Sequence, residues 1–147
     1  MRIRLLAVGQ KMPDWVTTGY NDYAKRLTDD VRLELVEIPA AKRTKNSDGD
    51  KMKAQEGEAL LAAIHANERV IALEVGGKEH STEALSQQMT DWLQGGKNIC
   101  LLVGGPDGLS KDVLKRAESL WSLSPLTLPH PLVRIVLAEQ LYRAWTL

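Results

Sequence analysis

The feature that most constrains the fold of this chain is a regular alternation of apolar, strand-like runs with amphipathic, helix-like segments. The strand-like runs lie at 3–8, 31–38, 69–75, 98–103 and, as a short last one, 123–128. The helices between them are predicted to begin near Pro13, Lys51, Thr82 and Ser110, and a final helix at Pro131. Such βα repeats predict an α/β fold, with a mostly parallel sheet flanked by helices.

Two of the strand-like runs differ in a way that orders the sheet. Residues 31–35 alternate apolar and charged side chains, whereas 99–103 are continuously apolar. Alternation is typical of a half-exposed edge strand, and a continuous apolar run is typical of a strand buried on both faces. We therefore expect the second run at the centre of the sheet, where a loop at its end has walls on both sides.

Length and composition predict one soluble domain covering 1–147. Hydrophobic residues make up 44% and charged residues 26%, with no break in composition. No apolar stretch approaches the roughly 20 residues that span a bilayer, and no secretory signal precedes the first strand. We therefore expect a cytoplasmic protein with no membrane segment. The single cysteine, Cys100, lies inside an apolar run and is interpreted as a small buried hydrophobe.

The central run ends in a glycine-rich loop, Gly-Gly-Pro-Asp-Gly at 104–108. Ligand crevices in α/β sheets form at the carboxyl ends of strands, and glycines let the backbone approach a ligand closely. Neither a dinucleotide-binding nor a P-loop glycine motif occurs in the chain, which argues against both of those enzyme classes. Taken alone, the loop is better interpreted as a tight strand-to-helix connection without a ligand.

A second loop, 123–131, holds His130 between Pro129 and Pro131 at the start of the final helix. The prolines restrict the backbone on both sides, and the positive end of the helix dipole disfavours an imidazolium. His130 is therefore interpreted as a neutral hydrogen-bonding group, with structural capping as the alternative. The other histidines, His65 and His80, have no metal-ligand spacing with His130 or Cys100, so no metal is predicted.

The charges balance overall but cluster locally. Nineteen basic residues match nineteen acidic ones, which gives no support to strong nonspecific binding of nucleic acid. Five cations nevertheless fall within 42–53, namely Lys42, Arg43, Lys45, Lys51 and Lys53. This segment is either a solvated loop or a mobile arm that binds phosphates.

The final helix is apolar around much of its circumference, so it must be buried in its own domain or against a partner. A homodimer interface is the simplest explanation. Glu139 and Arg143 have the spacing of a helix-surface ion pair, worth about 0.3 to 0.5 kcal/mol. Arg134 and Arg143 project to different sides of the helix. Both reach one site only if that site forms between elements or subunits.

Several motifs together resemble one known family. They are Gly-Gly-Pro-Asp-Gly-Leu at 104–109, Ser-Pro-Leu-Thr-Leu-Pro-His-Pro-Leu-Val-Arg at 124–134 and Glu-Gln-Leu-Tyr-Arg-Ala-Trp at 139–145. With matching stretches at 6–15 and 37–40, the chain closely resembles the RlmH (YbeA-like) ribosomal RNA methyltransferases of the SPOUT superfamily over nearly its whole length. The resemblance implies a homodimeric SPOUT-type fold with a C-terminal trefoil knot. It also implies methyl transfer from S-adenosylmethionine to N3 of a pseudouridine in large-subunit (23S) ribosomal RNA, on the assembled ribosome.

The resemblance also implies site residues. Its cofactor-binding positions fall on Leu73, Gly104, Gly105, Leu123, Ser124, Pro125, Leu126, Thr127 and Leu128. His130, Arg134 and Arg143 are the catalytic candidates on the target side. A neutral His130 would accept or relay the N3 proton, while an arginine stabilises the developing negative charge or fixes a phosphate.

Two further expectations concern the substrate. The family continues past the position of Leu147 into a short tail with His, Tyr and Arg, so further target-binding groups are expected there. Zero net charge favours recognition of shape over indiscriminate phosphate attraction, which predicts poor activity on naked RNA. Two alternatives remain open: a related enzyme with another target, such as a ribose hydroxyl in transfer RNA, and a noncatalytic ribosome-binding module.

Overall fold

The structure is a computed structural model that describes residues 1–147. Its strands are β1 (Arg2–Val8), β2 (Arg32–Ile38), β3 (Arg69–Glu79), β4 (Ile99–Val103) and β5 (Ser119–Ser122). Its helices are α1 (Asp14–Ala24), α2 (Gly49–Ala63), α3 (Thr82–Gly95), α4 (Lys111–Arg116) and α5 (His130–Trp145). The predicted alternation of strands and helices is thus confirmed. None of the helices is both long and apolar enough to cross a bilayer.

All five strands form one parallel sheet in the order β2-β1-β4-β3-β5. Every residue of the central strand β4 is buried, whereas the edge strand β2 is mostly exposed or half-buried. Both placements confirm the expectations from their hydrophobic patterns, because a strand covered on two faces has no position for a polar side chain.

Helices cover both faces of the sheet. On one face α1, α3 and α5 pack over Leu5, Leu101 and their neighbours, and α5 buries Leu137 and Leu141 there. The other face is covered by α2 and α4, which bury Leu60 and Val113 against β1 and β4. The apolar character of α5 is therefore satisfied in large part within its own domain.

The fifth strand differs from the sequence prediction. It spans Ser119–Ser122, and the predicted run 123–128 is a loop. The Ser122 hydroxyl donates to the carbonyl of Ser124 at 3.1 Å, and Leu126 N donates to Ser124 Oγ at 2.9 Å. These local hydrogen bonds, next to Pro125 with no N–H to donate, replace strand pairing.

Strand β3 is longer than predicted because it contains an irregularity. Leu73 and Lys78 both pair with Trp121 of β5, so residues 74–77 lie outside the regular ladder. A Cβ on Gly77 would lie 2.7 Å from the backbone of Leu120, so a side chain at this position would clash with β5. The bulge takes Glu74 and Val75 out of the regular pairing with β5.

The segment between β5 and α5 crosses the carboxyl edge of the sheet. After β5, at one edge, residues 123–129 lead back over β3 and β4 to α5, where Arg134 hydrogen-bonds the carbonyl of Gly9 just after β1. This return path runs along the carboxyl ends of the strands, beside the glycine-rich loop. It is the part of the chain in which the family resemblance implies a trefoil knot.

We predict that Cys100 is chemically silent in the folded protein. It is fully buried in β4, and burial raises the pKa of its thiol to about 12. Because thiol reagents attack the thiolate, the native protein should not react with a disulfide reagent at mildly alkaline pH. In denaturant, the single thiol of the same protein should react with one equivalent of the reagent. Stoichiometric labelling without denaturant would contradict the burial of this residue.

Candidate functional site

A cavity of about 340 Å³ opens at the carboxyl ends of β3, β4 and β5. This volume lies in the range of small-molecule sites in proteins. Its walls come from the end of β3, the glycine-rich loop, the return segment and the first turn of α5. The lining residues are Leu73, Glu74, Val75, Val103, Gly104, Gly105, Pro106, Gly108, Leu109, Trp121, Leu123, Ser124, Leu126, Thr127, Leu128, Pro129, His130 and Val133.

The structure brings the sequence-predicted cofactor positions together in this cavity. Leu73, both glycines and five of the six residues in 123–128 line it. Pro125 belongs to the same loop but is not part of the lining. That these residues contact a ligand stays a prediction. Positions separated by up to 55 residues in the chain nevertheless line one cavity.

The glycine-rich loop is shaped by its own packing. Gly108 adopts φ +82°, and its N–H donates to the carbonyl of Gly105 at 3.0 Å. A Cβ on Gly104 would lie 2.6 Å from the backbone carbonyl of Gly108, and one on Gly105 would lie 3.0 Å from Val8 Cγ1. Positions 104 and 105 therefore exclude side chains before any ligand is considered.

His130 opens helix α5 and stands on the wall of the cavity. Its Nδ1 is buried and has no hydrogen-bond partner in the chain. Burial lowers the pKa of the imidazole, the nearby Arg134 and Arg43 lower it further, and Glu56 partly opposes them. The neutral form expected from the sequence is thus favoured, with desolvation as the largest cause.

Arg134 lies behind His130 and does not line the cavity. Only 2% of it is exposed. Its Nη1 donates to Glu37 Oε2 at 2.6 Å, and its Nη2 donates to the Gly9 carbonyl at 2.8 Å. The guanidinium therefore ties the first turns of α5 to the ends of β1 and β2, and within one chain it contacts protein groups only.

Arg143 is not brought to this site within a single chain. It lies thirteen residues beyond His130, which is about 20 Å along a helix. Its Nη2 lies 2.8 Å from Glu139 Oε2, in the exposed i,i+4 ion pair that the spacing predicts. Arg134 and Arg143 indeed leave the helix in different environments, one buried and one exposed.

A second arginine fastens the other side of the glycine-rich loop. Arg43 Nη1 lies 2.8 Å from Glu56 Oε2, and its Nη2 lies 2.9 Å from Asp107 Oδ2. The same Glu56 oxygen accepts a hydrogen bond from Ala41 N at 2.9 Å. Glu56 is buried, so its charge requires these partners. Arg43 is consequently occupied by carboxylates of its own chain.

Sequence reasoning missed two lining residues of chemical interest. Glu74 is the one carboxylate of the lining, and its position directly after Leu73 at a strand end was the available signal. Trp121 was missed because the fifth strand was placed too late in the chain. No three His, Cys, Asp or Glu side chains lie together in a way that could hold a metal ion.

The arrangement sets what the cavity can bind. Half of its lining residues are hydrophobic, and the glycine-rich loop adds backbone polar groups. Its polar side chains are the carboxylate of Glu74, the neutral imidazole of His130 and the hydroxyls of Ser124 and Thr127. Such a site suits a small molecule with a flat apolar part and a positive charge, next to a group that can take up a proton.

Replacing Gly104 should damage the fold of the loop itself. In Gly104→Ala the new methyl group meets the Gly108 backbone, and overpacking of this kind costs about 1–3 kcal/mol. The matched control is Gly95→Ala near the end of α3, where no atom lies within 4 Å of the added Cβ. That variant should keep or gain stability, by up to about 1 kcal/mol. Equal urea midpoints for the two variants would refute the packing argument.

Comparison with known proteins relates this chain to a described family. A family model described as "Predicted SPOUT methyltransferase" matches residues 1–147. The chain is 59% identical to the ribosomal RNA large subunit methyltransferase H of Hahella chejuensis, over 100% of the chain and 94% of the relative. It is 58% identical to the protein of that name from a Marinomonas species, over 100% of the chain and 95% of the relative.

Solved structures agree at the level of the fold. A probable methylase family protein from Haemophilus influenzae superposes with a TM-score of 0.56 at 10% identity, covering 99% of this chain and 66% of that one. A putative methylase family protein from Neisseria gonorrhoeae gives 0.56 at 15% identity, over 96% and 80%. With the full-length family match and the close relatives, these findings show that the chain belongs to the SPOUT methyltransferase family.

Proposed function

We propose that this protein transfers a methyl group from S-adenosylmethionine to N3 of a pseudouridine in the RNA of the large ribosomal subunit. The observation that carries the proposal is the cavity at the strand ends, with a neutral His130 on its wall. Family membership supports methyl transfer, and the names of the relatives at 58–59% identity support the ribosomal RNA substrate.

The residues present fit this methyl donor. Leucines 73, 123, 126 and 128 offer apolar surface to an adenosyl group, and the glycine-rich loop offers backbone hydrogen bonds. Glu74 complements the positive charges of a sulfonium and an ammonium group. The donor carries no phosphate, which agrees with a glycine-rich loop unlike those that cradle pyrophosphate. When bound, it supplies a methyl group on a positively charged sulfur, which leaves as a neutral thioether.

His130 is proposed as the proton acceptor. The target N3 is an imide nitrogen that carries a proton, and this proton must leave for the nitrogen lone pair to attack the methyl carbon. A neutral imidazole takes the proton as the new nitrogen–carbon bond forms and the carbon–sulfur bond breaks. Burial and the two nearby arginines keep His130 in the accepting form.

Arg134 acts in this proposal as a positioning residue. Its guanidinium holds the first turn of α5, and with it His130, against Gly9 and Glu37. It also biases His130 electrostatically toward the neutral state. The group proposed to stabilise the negative charge on the substrate is Arg143, which would reach the cavity of one subunit from the partner subunit of a dimer.

A homodimer is proposed from exposed apolar side chains on α1 and α5. Trp15 of α1 is 57% exposed, and Leu132 of α5 is also exposed. The two helices pack closely, because a Cβ on Gly19 would lie 3.1 Å from Ile135 Cδ1. A second copy over this face would shield both side chains. It would also offer Arg143 of the partner subunit to a shared site.

The assembled large subunit is the proposed substrate. A chain with no net charge gains little from general attraction to phosphates, so it depends on a preformed surface. Such a substrate would place the enzyme in the cytoplasm.

The direct test is methyl transfer to ribosomes from a strain that lacks the modification. With radiolabelled S-adenosylmethionine, label should enter the large-subunit RNA, and mass spectrometry should locate it on N3 of a pseudouridine. Naked RNA should be a poor substrate. Label on a ribose hydroxyl of transfer RNA would establish a different target, and absence of both transfer and cofactor binding by calorimetry would establish a noncatalytic module.

The role of His130 predicts a pH dependence. Since the pKa of His130 in the folded protein is lowered from 6.5, the imidazole is neutral above that pH and activity should be flat there. The single-turnover rate should fall only at a pH below 6.5, as His130 becomes protonated. His130→Gln should lose about 10²- to 10⁴-fold in rate and lose this acidic limb.

The matched control is His80→Gln. The pKa of His80 is also lowered, first by burial, but His80 lies outside the cavity. Each histidine with a lowered pKa reduces the stability of the fold as pH drops below 6.5, because the unfolded chain binds the proton more tightly. Circular dichroism at each pH separates this loss from the kinetic one. An unchanged rate in His130→Gln would remove the proton-accepting role.

A further inference from the structure

The loops that leave the first two strands carry lysines that have no acidic partner. Lys11 follows β1, and Lys42, Lys45 and Lys51 lie between β2 and the first turn of α2. All four are exposed, and none forms an ion pair. We call this set the basic rim. The ion pairs of the segment 42–53 are those of Arg43 and, at 3.8 Å, that between Lys53 and Asp50.

The basic rim is held at the edge of the cavity. Gly9 N donates to the Ile38 carbonyl at 2.7 Å, so the two loops leave the sheet side by side. Arg43, between Lys42 and Lys45, bonds Asp107 of the glycine-rich loop with its Nη2 and Nε, at 2.9 and 3.1 Å. The neighbours of Asp107, Pro106 and Gly108, both line the cavity. Arg43 thus ties the segment that carries Lys42 and Lys45 to a residue next to the cavity wall.

Several acidic groups around the basic rim are already engaged. Glu56 and Asp107 bind Arg43, and Glu37 binds Arg134. The Asp48 side chain accepts a hydrogen bond from Asp50 N at the start of α2. Asp14 and Asp48 have no ion-pair partner, so the four lysines of the basic rim still outnumber the unpaired carboxylates at this edge, although the chain as a whole is neutral.

We propose that the basic rim binds phosphates of the RNA that carries the target base. This inference rests on the proposed function, because it assigns the segment next to the cavity to the RNA substrate. Exposed lysines are hydrated point charges that contact phosphates without fixed geometry, which suits backbone contacts that position a strand without reading its sequence. Arg43 serves as the internal anchor, and the lysines are the part that reaches the RNA.

The test compares two triple variants that each remove three positive charges. The rim variant is Lys42→Gln/Lys45→Gln/Lys51→Gln. The control is Lys97→Gln/Lys115→Gln/Arg116→Gln, which removes exposed cations near the amino ends of β4 and β5, on the opposite edge of the sheet. None of the six forms an ion pair, and thermal unfolding confirms that both variants are folded.

The first readout is binding of the full chain to purified large ribosomal subunits between about 50 and 200 mM salt. Wild type should show a salt-dependent affinity. The rim variant should bind at least about tenfold more weakly at low salt, with a log–log salt slope shallower by about 2, because each phosphate contact adds about 0.7 to 0.9. The control should keep the wild-type slope. Calorimetry with S-adenosylmethionine should give one affinity for all three proteins.

The second readout is methyl transfer. The rim variant should show a raised KM for the subunit with kcat unchanged at saturation. A wild-type slope in the rim variant, or an equal loss in the control, would overturn the proposal. Salt-dependent binding by wild type without any methyl transfer would instead count against the proposed function, while the slopes would still report on the basic rim.

Discussion

The buried guanidinium of Arg134 is the interaction on which the carboxyl edge of this molecule depends. It joins the carbonyl of Gly9 after β1 to the carboxylate of Glu37 in β2, from a position one turn into α5. Burying a charged side chain that is only 2% exposed is costly unless the charge is paired. This turn of α5 is therefore stable in the one position on the sheet where Arg134 reaches both partners. These contacts fix the position of the first turns of α5, and with it the position of His130.

Arg43 does for the glycine-rich loop what Arg134 does for α5. One arginine holds α5 from beneath, the other holds the loop from the side through Asp107, and both lower the pKa of His130. The two walls of the cavity are thus fixed by charge pairs outside it. This division leaves the lining itself largely apolar and available to a ligand.

The sequence was sufficient for the architecture because hydrophobic patterns report burial directly. The unbroken apolar run of β4 and the alternation in β2 placed one strand centrally and the other at an edge, as observed. The position of the fifth strand was wrong, because apolar residues such as Leu123 and Leu126 occur in strands and in cavity walls alike. Hydrogen bonds of Ser122 and Ser124, which no pattern reveals, decided between the two.

The site was only partly predictable for a similar reason. Its loops were recognised from glycine, proline and the family resemblance, and the structure gathers them around one cavity. The environment of Arg134 was not predictable, since an arginine in a helix is equally consistent with a substrate contact or a buried anchor. Its partners, Glu37 and Gly9, lie 97 and 125 residues away in the chain. Contacts between residues so far apart in the chain are set by the order of strands and helices in the fold, and a local sequence pattern does not reveal them.

The crowding around the glycine-rich loop has a consequence for how a ligand binds. Glycines usually leave a loop with many accessible conformations, and ordering them on binding opposes affinity. Here Gly104 is pressed against the Gly108 backbone and Gly105 against Val8, so few of those conformations exist in the folded chain. The entropy of the loop is lost when the protein folds. At these two positions a ligand therefore meets backbone that is already packed, and ordering this backbone takes little from the free energy of binding.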